Sequence, residues 1–391
     1  MTTERGATGP GTIDPQAIQI PHELLPVDGR FGCGPSKVRP EQALALAKAN
    51  SNLLGTSHRQ APVKHLVGSV RRGLSELFGL PDGWEIVLGN GGSTMFWDIA
   101  TFGLIRDHSV HAVFGEFSSK FADAAAAAPH LGDPTIVRSE PGDHPDVVAV
   151  EGADVYALTH NETSTGVSMQ LQRPTQADQD ALVVVDATSA AGGLLWDPAQ
   201  VDVYYFAPQK CFASDGGLWL AACSPRALER IRSIHASDRW TPASLDLHIA
   251  LDNSLANQTY NTPALGTLVL LDEQIRWMLQ HGGLQWCHQR AATSATILYE
   301  WAESRPWARP FVSDPAKRSA VVGTIDIAPA EQGGADAAHV NAALRAHGIV
   351  DTDSYRKLGR NQLRVGMFPA IEPADVEALT RCIDVVIEAL A

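Results

Sequence analysis

Two charged residues follow apolar segments that are typical of buried strands. Asp186 comes directly after residues 181–185, and Lys210 comes shortly after residues 201–206. Continuous apolar runs indicate strands that are covered on both faces. An unpaired buried charge is costly, so the two residues form either a structural ion pair across neighbouring strands or a reactive site. In a reactive site, the lysine amine could form a Schiff base with an aldehyde cofactor, while the carboxylate keeps the ring nitrogen of that cofactor protonated.

A glycine-rich turn upstream could hold a phosphate. Residues 89–94 read Gly-Asn-Gly-Gly-Ser-Thr and directly precede a predicted helix. The free N–H groups and the dipole of a helix N-terminus suit an anion, and the Ser93 and Thr94 hydroxyls are further donors. The turn matches neither the dinucleotide fingerprint nor the P-loop, so a plain strand-to-helix turn with Ser93 as the N-cap is an alternative. Amine, carboxylate and phosphate cradle are together the parts that pyridoxal phosphate needs.

Alternating strand and helix patterns position these residues. The apolar spacing predicts helices over residues 40–50, 62–79, 94–104 and 116–128, and strands over 85–88, 110–114, 135–137 and 154–158. Such alternation indicates βα units and a mainly parallel sheet. Ligands bind beyond the carboxyl ends of the strands of such a sheet. Polar segments that follow predicted strands therefore mark the candidate site: 89–94, 159–166, 186–189 and 207–210.

A second α/β unit is expected towards the C-terminus. Helices are predicted over 264–280 and 284–301, followed by a strand–helix–strand–helix pattern over 321–327, 337–346, 363–367 and 373–390. We therefore predict an α/β fold with a large domain, residues 41–280, whose mainly parallel sheet is flanked by helices. A smaller α/β domain, residues 281–391, follows it, and residues 1–40 are expected to pack against this domain, with the first residues flexible.

Composition excludes several classes of protein. The 391 residues carry a formal net charge of -14, which disfavours binding to nucleic acids and to anionic membranes. The five cysteines are odd in number and scattered, so neither a disulfide framework nor a metal site is expected. No secretory h-region begins the chain, and no run of 18 apolar residues occurs, so we expect a cytoplasmic protein.

Five short motifs in register carry a family resemblance. They are the segments Phe-Gly-Cys-Gly-Pro-Ser at 31–36, Gly-Thr-Ser-His-Arg at 55–59, Asn-Glu-Thr at 161–163, Ala-Pro-Gln-Lys at 207–210 and Asn-Thr-Pro at 261–263. Together with the spacing of Asp186 and Lys210, they resemble the phosphoserine aminotransferases, in the form found in actinobacteria. These are class V, fold-type I pyridoxal-phosphate enzymes. The resemblance extends from about residue 30 to the C-terminus.

The resemblance implies a role for each matching residue. Lys210 would carry pyridoxal phosphate and Asp186 would pair with the pyridine nitrogen, so these are the expected catalytic residues. Gly92, Ser93 and Gln209 would bind the phosphate of the cofactor. Thr163 would hydrogen-bond the ring hydroxyl, and Phe117 would stack on the ring. Asn261 and Thr262 would reach across a homodimer interface to the cofactor of the partner. The homodimer would therefore share its active sites.

The same resemblance implies the substrates. His58, Arg59 and Arg364 would surround the two anionic ends of phosphoserine or glutamate, and Arg356 is a further candidate, although its spacing departs from the family pattern. Arginine suits both carboxylate and phosphate. The implied reaction converts L-glutamate and 3-phosphohydroxypyruvate into 2-oxoglutarate and O-phospho-L-serine, in serine biosynthesis. 3-Hydroxy-2-oxo-phosphobutanoate, in pyridoxine biosynthesis, is a further candidate substrate.

Other functions compete with this interpretation. The nearest is an alanine–glyoxylate or serine–pyruvate type aminotransferase, whose substrates lack phosphate; His58 beside Arg59 favours the phosphorylated substrate. A lyase or cysteine desulfurase would need a reactive cysteine on a mobile loop. The region after Phe311 has no cysteine in a predicted loop, because Cys382 falls in the last predicted helix. A protein that only binds ligands would not need Asp186 and Lys210 together.

Overall fold

Most strands belong to one sheet. The structure, a computed structural model, describes residues 14–390. Its strands, in chain order, are β1 Glu85–Gly91, β2 Ser109–Val113, β3 Thr135–Arg138, β4 Val155–Thr159, β5 Asn161–Glu162, β6 Val167–Ser168, β7 Leu182–Asp186, β8 Val203–Phe206, β9 Gly217–Cys223, β10 Ala308–Pro310, β11 Val322–Ile327 and β12 Gln362–Gly366. Seven of them form a sheet in the order β1-β9-β8-β7-β4-β2-β3. Only β9 runs against the others, so the prediction of a mainly parallel sheet is confirmed.

Helices cover both faces of this sheet. The helices of the chain are α1 Pro40–Ala49, α2 Ala61–Phe78, α3 Ser93–Gly103, α4 Glu116–Ala127, α5 Pro225–His235, α6 Leu247–Leu255, α7 Leu265–Gln280, α8 Gly283–Glu303, α9 Ala337–Ala346 and α10 Pro373–Leu390. Alternate residues of the central strands enter two separate cores. Val183 and Val185 pack with α2 and α7, whereas Leu182 and Val184 pack with α3 and α5. This double burial is the reason that the central strands are apolar throughout.

A second sheet lies in the C-terminal part of the chain. Strands β10, β11 and β12 pair antiparallel and pack with α8, α9 and α10 around a third core. Ile18, Ile20 and Phe31 enter the same core, and the Val27 N–H donates to the Asp375 carboxylate at 2.8 Å. The N-terminal segment, from residue 14 onwards, thus contacts this part of the chain. The division at residue 281 stays a prediction, and residues 1–13 lie outside the described residues.

Sequence periodicity located most elements to within one or two residues, and α9 and α10 have the predicted bounds. Helices α5 and α6 and the short strands β5, β6 and β10 were not predicted. Within residues 14–390, the helices all fall short of the length and hydrophobicity that crossing a membrane requires.

A buried carboxylate holds α4 against the carboxyl edge of the sheet. Glu162 is fully buried and accepts hydrogen bonds from the Phe117 and Ser118 N–H groups at the start of α4 and from the Ser118 and Ser164 hydroxyls. Burial raises the pKa of Glu162, and the hydrogen bonds from Ser118 and Ser164 oppose that rise. A Cβ on Gly115 would lie 2.3 Å from Cγ of Glu162, so only glycine permits this approach. Glu162 therefore fixes the position of Phe117.

We expect Glu162→Ala to lower the free energy of unfolding by about 3 kcal/mol, because it leaves several buried donors without an acceptor. Glu162→Gln keeps the shape and one acceptor oxygen, so it should cost about half as much. Urea denaturation of both variants at one protein concentration measures the difference. Equal stabilities of the wild type and Glu162→Ala would show that α4 does not depend on this cap.

Candidate active site

Asp186 ends β7 at the carboxyl edge of the sheet, and its side chain is only 4% exposed. One carboxylate oxygen, Oδ1, accepts from the backbone N–H of Thr188 at 2.9 Å and from its hydroxyl at 2.6 Å. The other, Oδ2, accepts from the Trp97 indole N–H at 3.1 Å and from the Tyr205 hydroxyl at 3.2 Å. Asp186 is thus the last residue of a buried strand, as the sequence predicted, and four donors hold its carboxylate.

Lys210 lies beyond the neighbouring strand β8 and is 7% exposed. Its Nζ donates to the backbone carbonyl of Cys33 at 2.6 Å. Gly34 has a φ of 129°, and a Cβ there would lie 2.3 Å from Cε of Lys210, so glycine is required both for the backbone conformation and for the close approach. Burial lowers the pKa of Lys210 to about 8, and the positive charge of Arg364 acts in the same direction.

The glycine-rich turn has a different geometry from the simplest expectation. Gly92, not Ser93, is the N-cap of α3, and the cap makes no side-chain hydrogen bond. Ser93 is the first residue of the helix, and its Oγ lies 2.5 Å from Oγ1 of Thr188, while Thr94 is exposed. Nearby, the backbone carbonyl of Gln209 accepts from the Ser36 N–H at 2.8 Å. The Gln209 Oε1 atom is buried and receives no hydrogen bond from the described residues.

The segment that follows β4 contributes to the same edge. Thr163 is buried and its hydroxyl donates to Oγ of Ser189 at 2.8 Å, and the Asn161 amide donates to the same atom at 2.9 Å. Phe117 presents its ring 5.8 Å from Nζ of Lys210. The ring therefore lies where a group attached to that amine could stack on it.

Arg364 reaches the site from β12. Its Nη1 donates to the Thr163 carbonyl at 3.1 Å, and its guanidinium lies 5.3 Å from the centre of the Tyr355 ring. Its Nε is buried and has no hydrogen-bond acceptor among residues 14–390. A buried, unsatisfied donor of this kind is the expected state of an anion site without its anion.

Other predicted residues form a separate, more exposed group. His58 Nδ1 lies 3.0 Å from the Thr262 hydroxyl, and the Thr262 carbonyl accepts from Asn90 at 2.7 Å. Arg59 donates to Gln258 at 2.8 Å, and Arg59, Thr262 and Asn261 are exposed. The structure thus brings His58 and Thr262 together but gives no contact between this group and Lys210 of the same chain. Arg356 is also exposed.

Sequence reasoning missed several polar residues of the site. Trp97, Thr188 and Tyr205 surround Asp186, Ser189 links Asn161 with Thr163, and the Cys33 carbonyl accepts from Lys210. Thr188 and Ser189 lie in a segment that was singled out, but their partners come from distant parts of the chain. Trp97 and Tyr205 read as ordinary core residues. His160, considered as a base, is buried against Tyr204, and burial lowers its pKa to about 3, which leaves it neutral.

These residues fit a phosphorylated aldehyde cofactor. A buried amine, a carboxylate held by four donors, a helix N-terminus with a glycine cap, and a ring beside the amine lie at one edge of the sheet. The unsatisfied Arg364 Nε donor shows that the protein does not saturate the polar groups there. The arrangement supplies anion binding at two places and one nucleophilic amine.

The comparison with known proteins agrees with this geometry. Residues 140–376 match the family model described as aminotransferase class-V. A phosphoserine aminotransferase of Nocardioides sp. strain JS614 is 60% identical over 375 residues, which are 96% of this chain and 99% of the relative.

Two solved structures share the fold. One is a phosphoserine aminotransferase from Cytophaga hutchinsonii, with a TM-score of 0.82, 23% identity, and coverage of 92% of this chain and 99% of that one. The other, a phosphoserine aminotransferase from Trichomonas vaginalis described as bound to pyridoxal phosphate, has a TM-score of 0.76 and 20% identity, over 91% and 99% of the two chains. At these identities the two structures support the fold alone, whereas the close relative and the family model identify the chain as a class-V aminotransferase that belongs to the phosphoserine aminotransferase family.

Proposed function

We propose that this aminotransferase uses pyridoxal phosphate to transfer an amino group between L-glutamate and 3-phosphohydroxypyruvate, giving 2-oxoglutarate and O-phospho-L-serine in the synthesis of L-serine. The observation that carries the proposal is the buried and unsatisfied Nε of Arg364, whose positive charge acts on the buried amine of Lys210. The close relative from Nocardioides carries the name of this activity. The five cysteines are free thiols, which suits a reducing compartment, so we infer a cytoplasmic enzyme.

Residues at the carboxyl edge of the sheet would each bind one chemical group of the cofactor. Gly92 and Ser93, through their backbone N–H groups, and Gln209 would bind its phosphate, and Asp186 its ring nitrogen. Thr163 would bind the ring hydroxyl, and Phe117 would cover one ring face. Bound pyridoxal phosphate supplies the electron sink for bond changes at the Cα of an amino acid.

Lys210 would carry the aldehyde and move protons at the reacting carbon. A pKa of about 8 leaves part of the amine neutral, and therefore nucleophilic, near neutral pH. When the amine is released it is a cation, and the Cys33 carbonyl is placed to accept its proton in a hydrogen bond. The hydrogen bond to Cys33 thus fixes the position of the free amine.

Arg364 would bind the α-carboxylate of the substrate. Its Nη1 is already held by the Thr163 carbonyl, which fixes the plane of the guanidinium, and the Tyr355 ring packs against it. The free Nε edge of this fork is then available for a carboxylate oxygen. Its positive charge also keeps the nearby amine of Lys210 less protonated.

His58 and Arg59 would bind the phosphate or γ-carboxylate at the other end of the substrate, in the site of a second subunit. Both lie in the exposed group that also contains Asn261 and Thr262, which we propose to reach the partner's cofactor phosphate. One hydrogen bond joins His58 to Thr262, so the two contributions would be presented as one unit. The enzyme is therefore proposed to be a homodimer with shared sites. Arg356, which is exposed, would be a further ligand of the substrate phosphate.

The amine of Lys210 should capture pyridoxal phosphate at a rate that rises with pH and levels off above about 8, because only the neutral amine attacks an aldehyde. Borohydride trapping at a series of pH values, followed by peptide mapping, measures this rate. Arg364→Gln removes a positive charge and should move the midpoint to higher pH.

Lys37 is the matched control, since it is also buried but is paired with Asp28 and Asp375. It should stay unlabelled throughout. Labelling at Lys37, or a rate that keeps rising towards the ordinary lysine value of 10.5, would contradict the proposed role of Lys210.

The enzyme should prefer O-phospho-L-serine to serine and alanine by about 10³-fold in kcat/KM, because an empty cationic clamp leaves a charged hydrogen-bond pair unmade. Arg59→Ala should remove most of this preference and leave the rate with alanine nearly unchanged. Coupled assays of 2-oxoglutarate amination measure both ratios. Arg345→Ala, an exposed arginine paired with Asp353, is the control and should keep the preference. Comparable rates with alanine and glyoxylate would move the enzyme to the alanine–glyoxylate class.

Shared sites predict complementation between two inactive variants. Lys210→Ala and the double variant Asn261→Ala/Thr262→Ala should regain activity when mixed under subunit exchange. Half of the randomly exchanged dimers are mixed and carry one complete site, so roughly a quarter of wild-type activity is expected.

The control mixture pairs Lys210→Ala with a chain that carries all three substitutions, and it should stay inactive because neither chain supplies the amine. Exchange is verified by mass spectrometry of differently tagged chains. Proven exchange without rescue would show that Asn261 and Thr262 do not act on the partner's site.

A further inference from the structure

A chain of hydroxyl groups connects the proposed phosphate cradle to the buried aspartate. Ser93 is the first residue of α3, and its Oγ atom lies 2.5 Å from the Oγ1 atom of Thr188. The same Oγ1 atom of Thr188 donates a hydrogen bond to Oδ1 of Asp186 at 2.6 Å. Ser93 and Asp186 are both buried and Thr188 is half-buried. The side chain of Thr188 thus joins the residue that would bind the cofactor phosphate to the residue that would bind the ring nitrogen.

The number of protons determines the direction of this chain. A threonine hydroxyl has one proton to donate, and an ionised carboxylate can only accept. The proton of Thr188 is therefore donated to Asp186, and Thr188 must accept from Ser93. The order of donation is Ser93 to Thr188 to Asp186. A hydroxyl that accepts one hydrogen bond becomes a stronger donor in the next.

The other carboxylate oxygen is held independently. Trp97 and Tyr205 donate to Oδ2, both are buried, and neither contacts Ser93 through a hydrogen bond within the described residues. Only the Oδ1 side of Asp186 is therefore connected to the cradle. A change at Ser93 can reach Asp186 by hydrogen bonds through Thr188.

We propose that Thr188 is a positioning residue that couples the phosphate cradle to Asp186. By accepting from Ser93 it donates more strongly to the carboxylate, and this hydrogen bond would hold Asp186 in place against the ring nitrogen of the cofactor. The proposal rests on pyridoxal phosphate as the cofactor, and it is independent of which amino acids the enzyme uses.

A double-mutant cycle on the holoenzyme tests this coupling. Ser93→Ala, Thr188→Val and the double variant are loaded with pyridoxal phosphate labelled with ¹⁵N in the ring, and the ring-nitrogen chemical shift is followed with pH. Thr188→Val should move the signal towards the unprotonated position and lower kcat by about 10-fold or more, since a hydrogen bond to a charged group is lost. Ser93→Ala should move the signal in the same direction by less, and in the Thr188→Val background it should add nothing.

Two controls separate coupling from a general loss of packing. Thr188→Ser restores the hydroxyl and should return the signal to near the wild-type position. Thr352→Val removes a buried threonine hydroxyl that donates to Asn341 in the C-terminal part of the chain, so it should change stability alone. If Thr188→Val does not fold, Thr188→Ala replaces it in the same cycle.

Equal shifts from Ser93→Ala in both backgrounds, or an unchanged signal in Thr188→Val, would overturn the coupling. A wild-type chain that binds no pyridoxal phosphate would overturn the cofactor proposal as well. An unexpected amino donor, by contrast, would contradict only the proposed substrates, because the nitrogen signal is read without substrate.

Discussion

The active site depends on keeping two opposite charges buried at one edge of a parallel sheet. In surroundings of low dielectric constant, a charge without partners is costly, so each must be surrounded by groups that stabilise it. Asp186 has four hydrogen-bond donors, and Lys210 has the Cys33 carbonyl. Two adjacent parallel strands bring the charges together, because β7 and β8 end at the same edge. Many of the surrounding residues contact Asp186 or Lys210 or position the groups that do.

The loop that contains Cys33 shows how far this requirement extends. It connects to the segment before Lys210 through the hydrogen bond from Ser36 to Gln209, and to β12 through the hydrogen bond from Gly366 to the Phe31 carbonyl. Phe31 itself lies in the core of the C-terminal part of the chain. The carbonyl that accepts from Lys210 is therefore held by both parts of the molecule, and Arg364 enters the site from the same strand, β12. The surroundings of the Lys210 amine therefore depend on contacts from both sheets of the molecule.

Local cations let an acidic protein bind anions. The chain has a net charge of -14, which repels phosphorylated and dicarboxylic ligands at long range. At short range, the half-buried Arg364 has a buried and unsatisfied Nε, and His58 and Arg59 lie in the more exposed group that contains Thr262. Salt screens the unfavourable long-range field more than the contacts in a buried site. A few local residues, and not the overall charge, are therefore the proposed basis of anion binding.

The amino-acid sequence determined the α/β class and the places of Asp186 and Lys210, because apolar runs and the polar residues that follow them are local features. It also carried the motifs of the family. The role of Glu162 as the cap of α4, the donors Trp97 and Tyr205, and the Cys33 carbonyl were decided by tertiary structure alone, since each partner is distant in sequence. Ser93 as the N-cap of α3 was the alternative to a phosphate cradle, but Gly92 takes that position, and the Ser93 hydroxyl contacts Thr188, nearly a hundred residues away. Periodicity identifies which residues are buried; which polar groups meet there depends on the packing of all the strands at one edge.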